Sequence, residues 1–169
     1  EAEMVATLCA QRDIPHSILE PTIPIRGNIQ SEARKVRYNL LHGWMERENI
    51  AWLATAHHAD DQLETLVMRI LRGSGINGMS AIRAKRGYVI RPLLHLSKAE
   101  LEDYVQSKGI ATVDDPSNHD QSFDRVRVRK ALSLLDGFNV GLASQSAAAL
   151  DDAREAIAWM VENIASQSI

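Results

Sequence analysis

Two histidines and two aspartates stand together at His57-His58-Ala59-Asp60-Asp61, and Glu64 follows three positions later. On a helix, Asp61 and Glu64 share a face. Near a helix N-terminus the macrodipole favours their negative charge. Such a pair can hold an ammonium group, hold Mg²⁺ or act as a base; it can equally be an ordinary acidic first turn. His57 and His58 beside Asp60 also suit Zn²⁺ or Mn²⁺. No second His/Asp cluster stands at a matching position, His119-Asp120 being a loop doublet, so no metal ligands are assigned. Further on, Arg72-Gly73-Ser74-Gly75 offers a guanidinium and flexible backbone amides, which suit phosphate. Two glycines near a helix end are also a simple C-cap.

These residues need elements to position them. Ala51 to Ala56 is an apolar run without polar alternation, the pattern of a strand buried on both faces. The segment 57–79 follows and continues as a helix, ended by Gly73 and Gly75, with Leu63, Leu66, Val67, Ile70 and Leu71 inward, while Asp61, Thr65, Arg69 and Arg72 lie away from that stripe. Acidic and His residues just past a buried strand occupy the edge where open α/β sheets bind ligands. Around this unit the spacing predicts a helix over 1–12 and a strand over 16–20 ended by Pro21 and Pro24. It predicts a helix over 30–48 capped by Asn28, with Ala33, Val36, Leu40, Leu41 and Trp44 on one face. Tyr88-Val89-Ile90 reads as a strand. Ser97 with Glu100 reads as a capping box opening a helix over 98–108 that stops at Gly109. Asp114 to Asn118 is a turn-rich loop, and helices follow over 124–135 and 140–167. The last carries Leu142, Ala149, Ala153, Ile157, Met160 and Ile164 along one stripe. Alternating helices and strands imply an α/β class with a doubly wound parallel sheet.

The 169 residues suit one domain, with 45% hydrophobic and 24% charged residues. No apolar run approaches the ~20 residues of a membrane span. Glu1-Ala2-Glu3-Met4 is unlike a signal peptide, and a start other than Met leads us to expect an upstream segment. The single cysteine, Cys9, excludes an internal disulfide and a Cys-x-x-Cys site, which suits a reducing, cytoplasmic compartment. Cys9 lies in a helical apolar pattern and reads as a small core residue. His16, His42 and His95 stand alone and read as structural. The net charge of −3 argues against a uniformly basic nucleic-acid binder but permits local patches. Three such clusters occur, at Arg34-Lys35-Arg37, Arg83-Lys85-Arg86 and Arg125-Arg127-Arg129-Lys130. On a helix Arg125 and Arg129 share a face and Arg127 points elsewhere.

The order of these features resembles the bacterial tRNA(Ile)-lysidine synthetases, within the PP-loop ATP pyrophosphatase superfamily. Four stretches carry the resemblance: Gly27 to Tyr38; His57 to Gly78; Arg91-Pro92-Leu93-Leu94 with the Ser97-capped helix; and Asp114 to Leu135. The resemblance implies an adenine nucleotide alpha hydrolase-like fold. It also implies ligation of L-lysine to C2 of the wobble cytidine of a tRNA(Ile) with a CAU anticodon, using ATP and Mg²⁺. It implies that Asp61 and Glu64 recognise or deprotonate lysine. Arg72, Gly73, Ser74 and Gly75 would line the nucleotide side. Arg34 and Arg37 would face ATP or RNA, Arg125 and Arg129 would anchor substrate phosphates, and His57, His58 and Asp60 would shape the pocket mouth. No membrane partner is implied, and a homodimer is open.

Two departures qualify the resemblance. The family's Ser-Gly-Gly-x-Asp-Ser motif does not occur in these residues, so the expectation is a fold incomplete at its N-terminus that binds ATP poorly alone. Val126 stands where many relatives carry Asn. Residues 1–135 read as a partial catalytic domain and 136–169 as a connecting helix. The alternatives are a tRNA thiolase, disfavoured by the lone cysteine, a metal-dependent phosphohydrolase using His57, His58, Asp60 and Asp61, and an inactive tRNA-binding fragment.

Overall fold

A computed structural model describes residues 2–21, 29–112, 124–134 and 139–167. The Asn28 cap, the loop from Asp114 to Asn118 and the His119-Asp120 doublet lie outside the described residues. The chain divides into two units, residues 1–53 and 54–169.

The first unit holds α1 (Ala2–Ala10) and α2 (Ile29–Arg47). Met4, Leu8 and Cys9 are half-buried on α1, while Val5 is exposed. The expected face of α2, from Ala33 to Trp44, is half-buried beside the fully buried Met45. Residues 14–21 form no strand. Pro15 and Pro21 each remove a ladder donor, so apolar content alone did not make one here.

The second unit is built on α3 (Ala59–Leu71), which follows the short strand β1 (Leu53–Ala54) at the junction. Next come α4 (Ile76–Met79), β2 (Lys85–Arg86), β3 (Val89–Ile90), α5 (Lys98–Ser107), α6 (Asp124–Leu132) and α7 (Val140–Gln167). The sheet order is β1-β3-β2, with Thr55 N–H donating to Ile90 O at 3.0 Å. β2 and β3 form an antiparallel hairpin pairing Lys85 with Ile90 and Arg86 with Val89. Gly87, at φ 58°, supplies the turn geometry a two-residue hairpin loop needs. The described structure is therefore rich in helix with a small sheet. β1 is not covered on both faces: Trp52, Ala54 and Ala56 are exposed and Leu53 and Thr55 half-buried. An apolar run marks a strand without saying how many faces are covered.

Four helices end the same way. Asp13, Asn49, Gly73 and Gly109 take positive φ, and the next residue's N–H reaches back to the carbonyl of Cys9, Met45, Arg69 or Val105. This satisfies carbonyls the helix end leaves open. The capping box of α5 forms as expected, with Glu100 N–H donating to Ser97 Oγ at 3.2 Å and Ser97 N–H to Glu100 Oε2 at 2.7 Å. The Ser97 hydroxyl, donating to Glu100 Oε2 at 2.7 Å, and after it the Ser97 N–H hold the Glu100 carboxyl below its ordinary pKa.

The core of this unit is Ala59, Leu63, Leu66, Val89, Leu94 and Ala147. Two expectations change here. On α3, Ile70 and Leu71 are exposed, and the polar Gln62 and Glu64 are buried in their stead. On α7, the stripe from Leu142 to Ile164 faces outward. The side packed against α3 and α4 carries Ala147, with Ser144, Asp151 and Arg154 in register. Small Ala147 permits close approach, and Ser144 Oγ donates to Leu94 O at 3.0 Å. Polar pairing thus set this helix's face. Asp151 receives Arg154 Nε at 2.7 Å, which raises the Arg154 pKa, and lies 3.5 Å from Arg83 Nε.

Candidate active site: the α3–α6 carboxylate and guanidinium cluster

α3 begins where the chain leaves β1, so its first turn carries the acidic residues to the sheet's edge. Thr55 Oγ1 lies 2.9 Å from His57 Nδ1, which orients that ring. His58 is the N-cap in extended conformation, and its N–H donates to Asp61 Oδ2 at 3.1 Å. The Asp61 side chain is only 16% exposed, less open than its position in an acidic first turn suggests. Its bond back to the cap draws it in.

Asp60 turns the other way. Its Oδ2 accepts the Lys98 N–H at 2.6 Å, so it helps cap α5, and Ala59 N–H joins Leu96 O beside it at 2.8 Å. His58 Nδ1 sits 3.5 Å from the same Asp60 oxygen but makes no hydrogen bond.

Glu64 is the buried centre of the cluster, its side chain 4% exposed. Arg129 Nε donates to Glu64 Oε1 at 2.6 Å, and Arg125 Nε stands 3.4 Å from Oε2. Arg125 Nη2 also donates to Thr65 Oγ1 at 3.2 Å. Arg129 is raised above its ordinary pKa, first by the Glu64 hydrogen bond, then by the charges of Glu64, Asp61 and Asp60 against some desolvation. Asp60, Asp61, Glu64, Arg125 and Arg129 are therefore one electrostatic group. Arg127 points away, as helical spacing requires, and pairs with Asp124.

Arg72 Nη2, at the C-cap of α3, donates to Asp124 Oδ2 at 2.9 Å, a fourth tie to α6. The amides of Gly73 and Ser74 are spent on Ile70 O and Arg69 O, leaving the guanidinium as the group suited to phosphate. Gly75 caps α4. Spacing did not reveal that Gly78 has no room for a side chain: a Cβ there would stand 2.6 Å from Ser74 Cβ. Arg34 and Arg37 are exposed on α2 in the first unit, Arg34 over the Tyr38 ring at 5.1 Å.

Arg72 and Arg125 keep 56% and 43% of their side-chain surface open, which fits a phosphate-bearing ligand. Among the described residues no group of three or more His, Cys, Asp or Glu is placed to hold a metal ion. Sequence reasoning passed over Gln62, whose burial has no counterpart in apolar periodicity. Its one signal was a polar residue at a position facing inward.

Comparison with known proteins adds to this geometry. The chain is 39% identical to a tRNA(Ile)-lysidine synthase of Novosphingobium aromaticivorans over 97% of its length and 52% of the relative. It is 37% identical to the tRNA(Ile)-lysidine synthase of Zymomonas mobilis, covering 100% of this chain and 54% of that one. A tRNA(Ile)-lysidine synthase from Ruegeria pomeroyi is 40% identical over 94% of the chain and 40% of its own length. The chain thus spans about half the length of the curated relatives it matches. The family model described as a PP-loop domain matches residues 1–134, across α1 to α6. By that match the chain belongs to the PP-loop family, whose α/β fold serves ATP chemistry.

Proposed function

We propose that the protein carrying this chain ligates L-lysine to C2 of the wobble cytidine in a tRNA(Ile) with a CAU anticodon. The carrying observation is the cluster of Asp60, Asp61 and Glu64 gathered about Arg125 and Arg129, in a chain similar to tRNA(Ile)-lysidine synthases over nearly its whole length. Lysine brings an ammonium that needs anionic recognition, whereas the tRNA and nucleotide bring phosphates that need guanidinium groups. The cluster presents both signs of charge side by side.

Asp61 meets the ε-ammonium group and takes its proton, leaving a neutral amine. Glu64 reaches lysine by exchanging one guanidinium for the substrate cation, and otherwise holds Arg125 and Arg129 in place. Those arginines then face phosphate. ATP, bound with Mg²⁺, would donate its adenylyl group to the C2 carbonyl oxygen and release pyrophosphate; AMP would then carry that oxygen away as the lysine nitrogen bonds to C2. Arg72 and the 73–75 turn line the nucleotide side, Arg34 and Arg37 contact ATP or RNA, and His57, His58 and Asp60 shape the mouth. Holding amine and activated carbon together supplies much of the rate.

Coarser proposals accompany this one. Residues 1–135 form the catalytic part and 136–169 a connecting helix. The full sheet is doubly wound and parallel, and the protein is cytoplasmic. Among the described residues no helix is long and apolar enough to cross a membrane.

The test is ATP-dependent incorporation of labelled lysine into a CAU-anticodon tRNA(Ile) transcript by the protein made from its complete reading frame. Incorporation that needs both ATP and the cytidine is the expected result. ATP turnover without lysine transfer would defeat the substrate assignment.

A further inference from the structure

We propose that Gln62 is a positioning residue of this site: its amide clamps α3 to the backbone of Ile82 and so sets the direction in which Asp61 and Glu64 present. The inference rests on the lysine-ligating reading above and deepens it. Gln62 is 3% exposed. Its Nε2 donates to Ile82 O at 2.8 Å, and its Oε1 accepts the Ile82 N–H at 2.7 Å. A buried amide is costly unless both its polar atoms are satisfied, and here one residue satisfies both. Two bonds to one peptide fix orientation as well as distance, which one bond does not.

The receiving end is a braced frame. Ala81, just before Ile82, takes φ 47°, unusual for a residue with a side chain, and its N–H donates to Gly78 O at 3.0 Å. Ser80 is 1% exposed, with Oγ donating to Ile76 O at 3.0 Å. Arg83 lies 3.5 Å from Asp151 of α7, and its carbonyl accepts Arg91 Nη1 at 2.7 Å. Residues 80–83 are thereby tied to α4, α7 and the end of the β2–β3 hairpin.

Gln62 connects this frame to the acidic turn. It follows Asp61 directly and precedes Glu64 by two residues, so it shares their helix but not their face. Side chains reach about 5–6 Å from a helix axis, so a turn of α3 by about 20° displaces a carboxylate by about 2 Å. A misplacement of about 1 Å can already cost roughly 100-fold in rate. A clamp against axial rotation therefore bears directly on turnover.

Two substitutions in the complete protein test this. Gln62→Met keeps length and shape but loses both bonds. Gln62→Asn keeps the amide but falls one methylene short of Ile82. Assayed well below the melting temperature of each variant, kcat for lysine transfer should fall roughly 10- to 100-fold while KM for tRNA stays within about twofold. A folded variant with wild-type kcat overturns the proposal, and so does a lowered melting temperature with unchanged kcat, since Gln62 then serves stability alone. If Gln62→Met does not fold, Gln62→Asn decides; failure of both to fold also overturns it. A wild-type protein that transfers no lysine defeats the underlying reading instead, an outcome distinct from an active wild type matched by its Gln62 variants.

Discussion

Asp61 and Glu64 are both acidic residues of one helix face, yet their surroundings give them different work. Asp61 caps its own helix through His58 N–H and retains some exposure, whereas Glu64 lies beneath two guanidiniums. Asp61→Asn should lower lysine transfer roughly 100-fold or more, the usual scale for a lost general base. Asparagine can still accept the His58 N–H, so the stability cost should be only about 0.5–1 kcal/mol, the scale of one charge at a helix N-terminus. Wild-type transfer rates in this variant would refute the role. Glu64→Gln should behave differently. It strands two guanidiniums, but both are more than two-fifths exposed, so solvent offsets much of the loss. About 1–3 kcal/mol of destabilisation in a urea melt is expected, below the full value for a dry pair.

The docking of α6 on α3 is a matter of elements. α6 has no buried residue and is joined to α3 by Arg72–Asp124, Arg125–Glu64, Arg125–Thr65 and Arg129–Glu64. A contact of this kind weakens with ionic strength, because salt screens the exposed partners. Amide exchange in α6 should accelerate between about 0.1 M and about 1 M NaCl while exchange in α3 changes little. Equal protection at both salts would show that packing holds α6. α5 depends on its cap, so Ser97→Ala should cost about 1 kcal/mol. Glu100 adds a pH signature: its pKa is lowered on folding, so its contribution is present above the unfolded carboxylate range and is lost as pH falls through the folded value. Gly78→Ala should destabilise the 74–78 turn, since its Cβ meets that of Ser74; an unchanged melting temperature would contradict this.

Across the whole molecule, legibility followed the kind of signal. Periodicity and caps announced α2, α3, α5, α6 and α7, and helical spacing correctly separated Arg127 from Arg125 and Arg129. The acidic turn and the arginine helix were readable as residue types, but nothing in either segment says that Glu64 and Arg129 meet across 65 positions. Apolar counting also misjudged the inner faces of α3 and α7. Gln62, Glu64, Ser144 and Asp151 are held by specific polar partners, a driving force that hydrophobic periodicity does not register. The strand read at Tyr88 to Ile90 forms as β3, but its hairpin partner β2 was missed because it is two basic residues long, though Gly87-Tyr88 between a basic and an apolar pair was its signal.

We propose that the α3–α6 cluster serves the joining of lysine to a tRNA cytidine. The most direct measurement is the mass of the wobble nucleoside after a CAU-anticodon tRNA(Ile) is incubated with ATP, lysine and the protein from its complete reading frame. The expected product is a cytidine heavier by one lysine less one water, formed by the wild type and largely lost in Asp61→Asn. An unmodified or thiolated cytidine from folded wild-type protein would contradict that proposal.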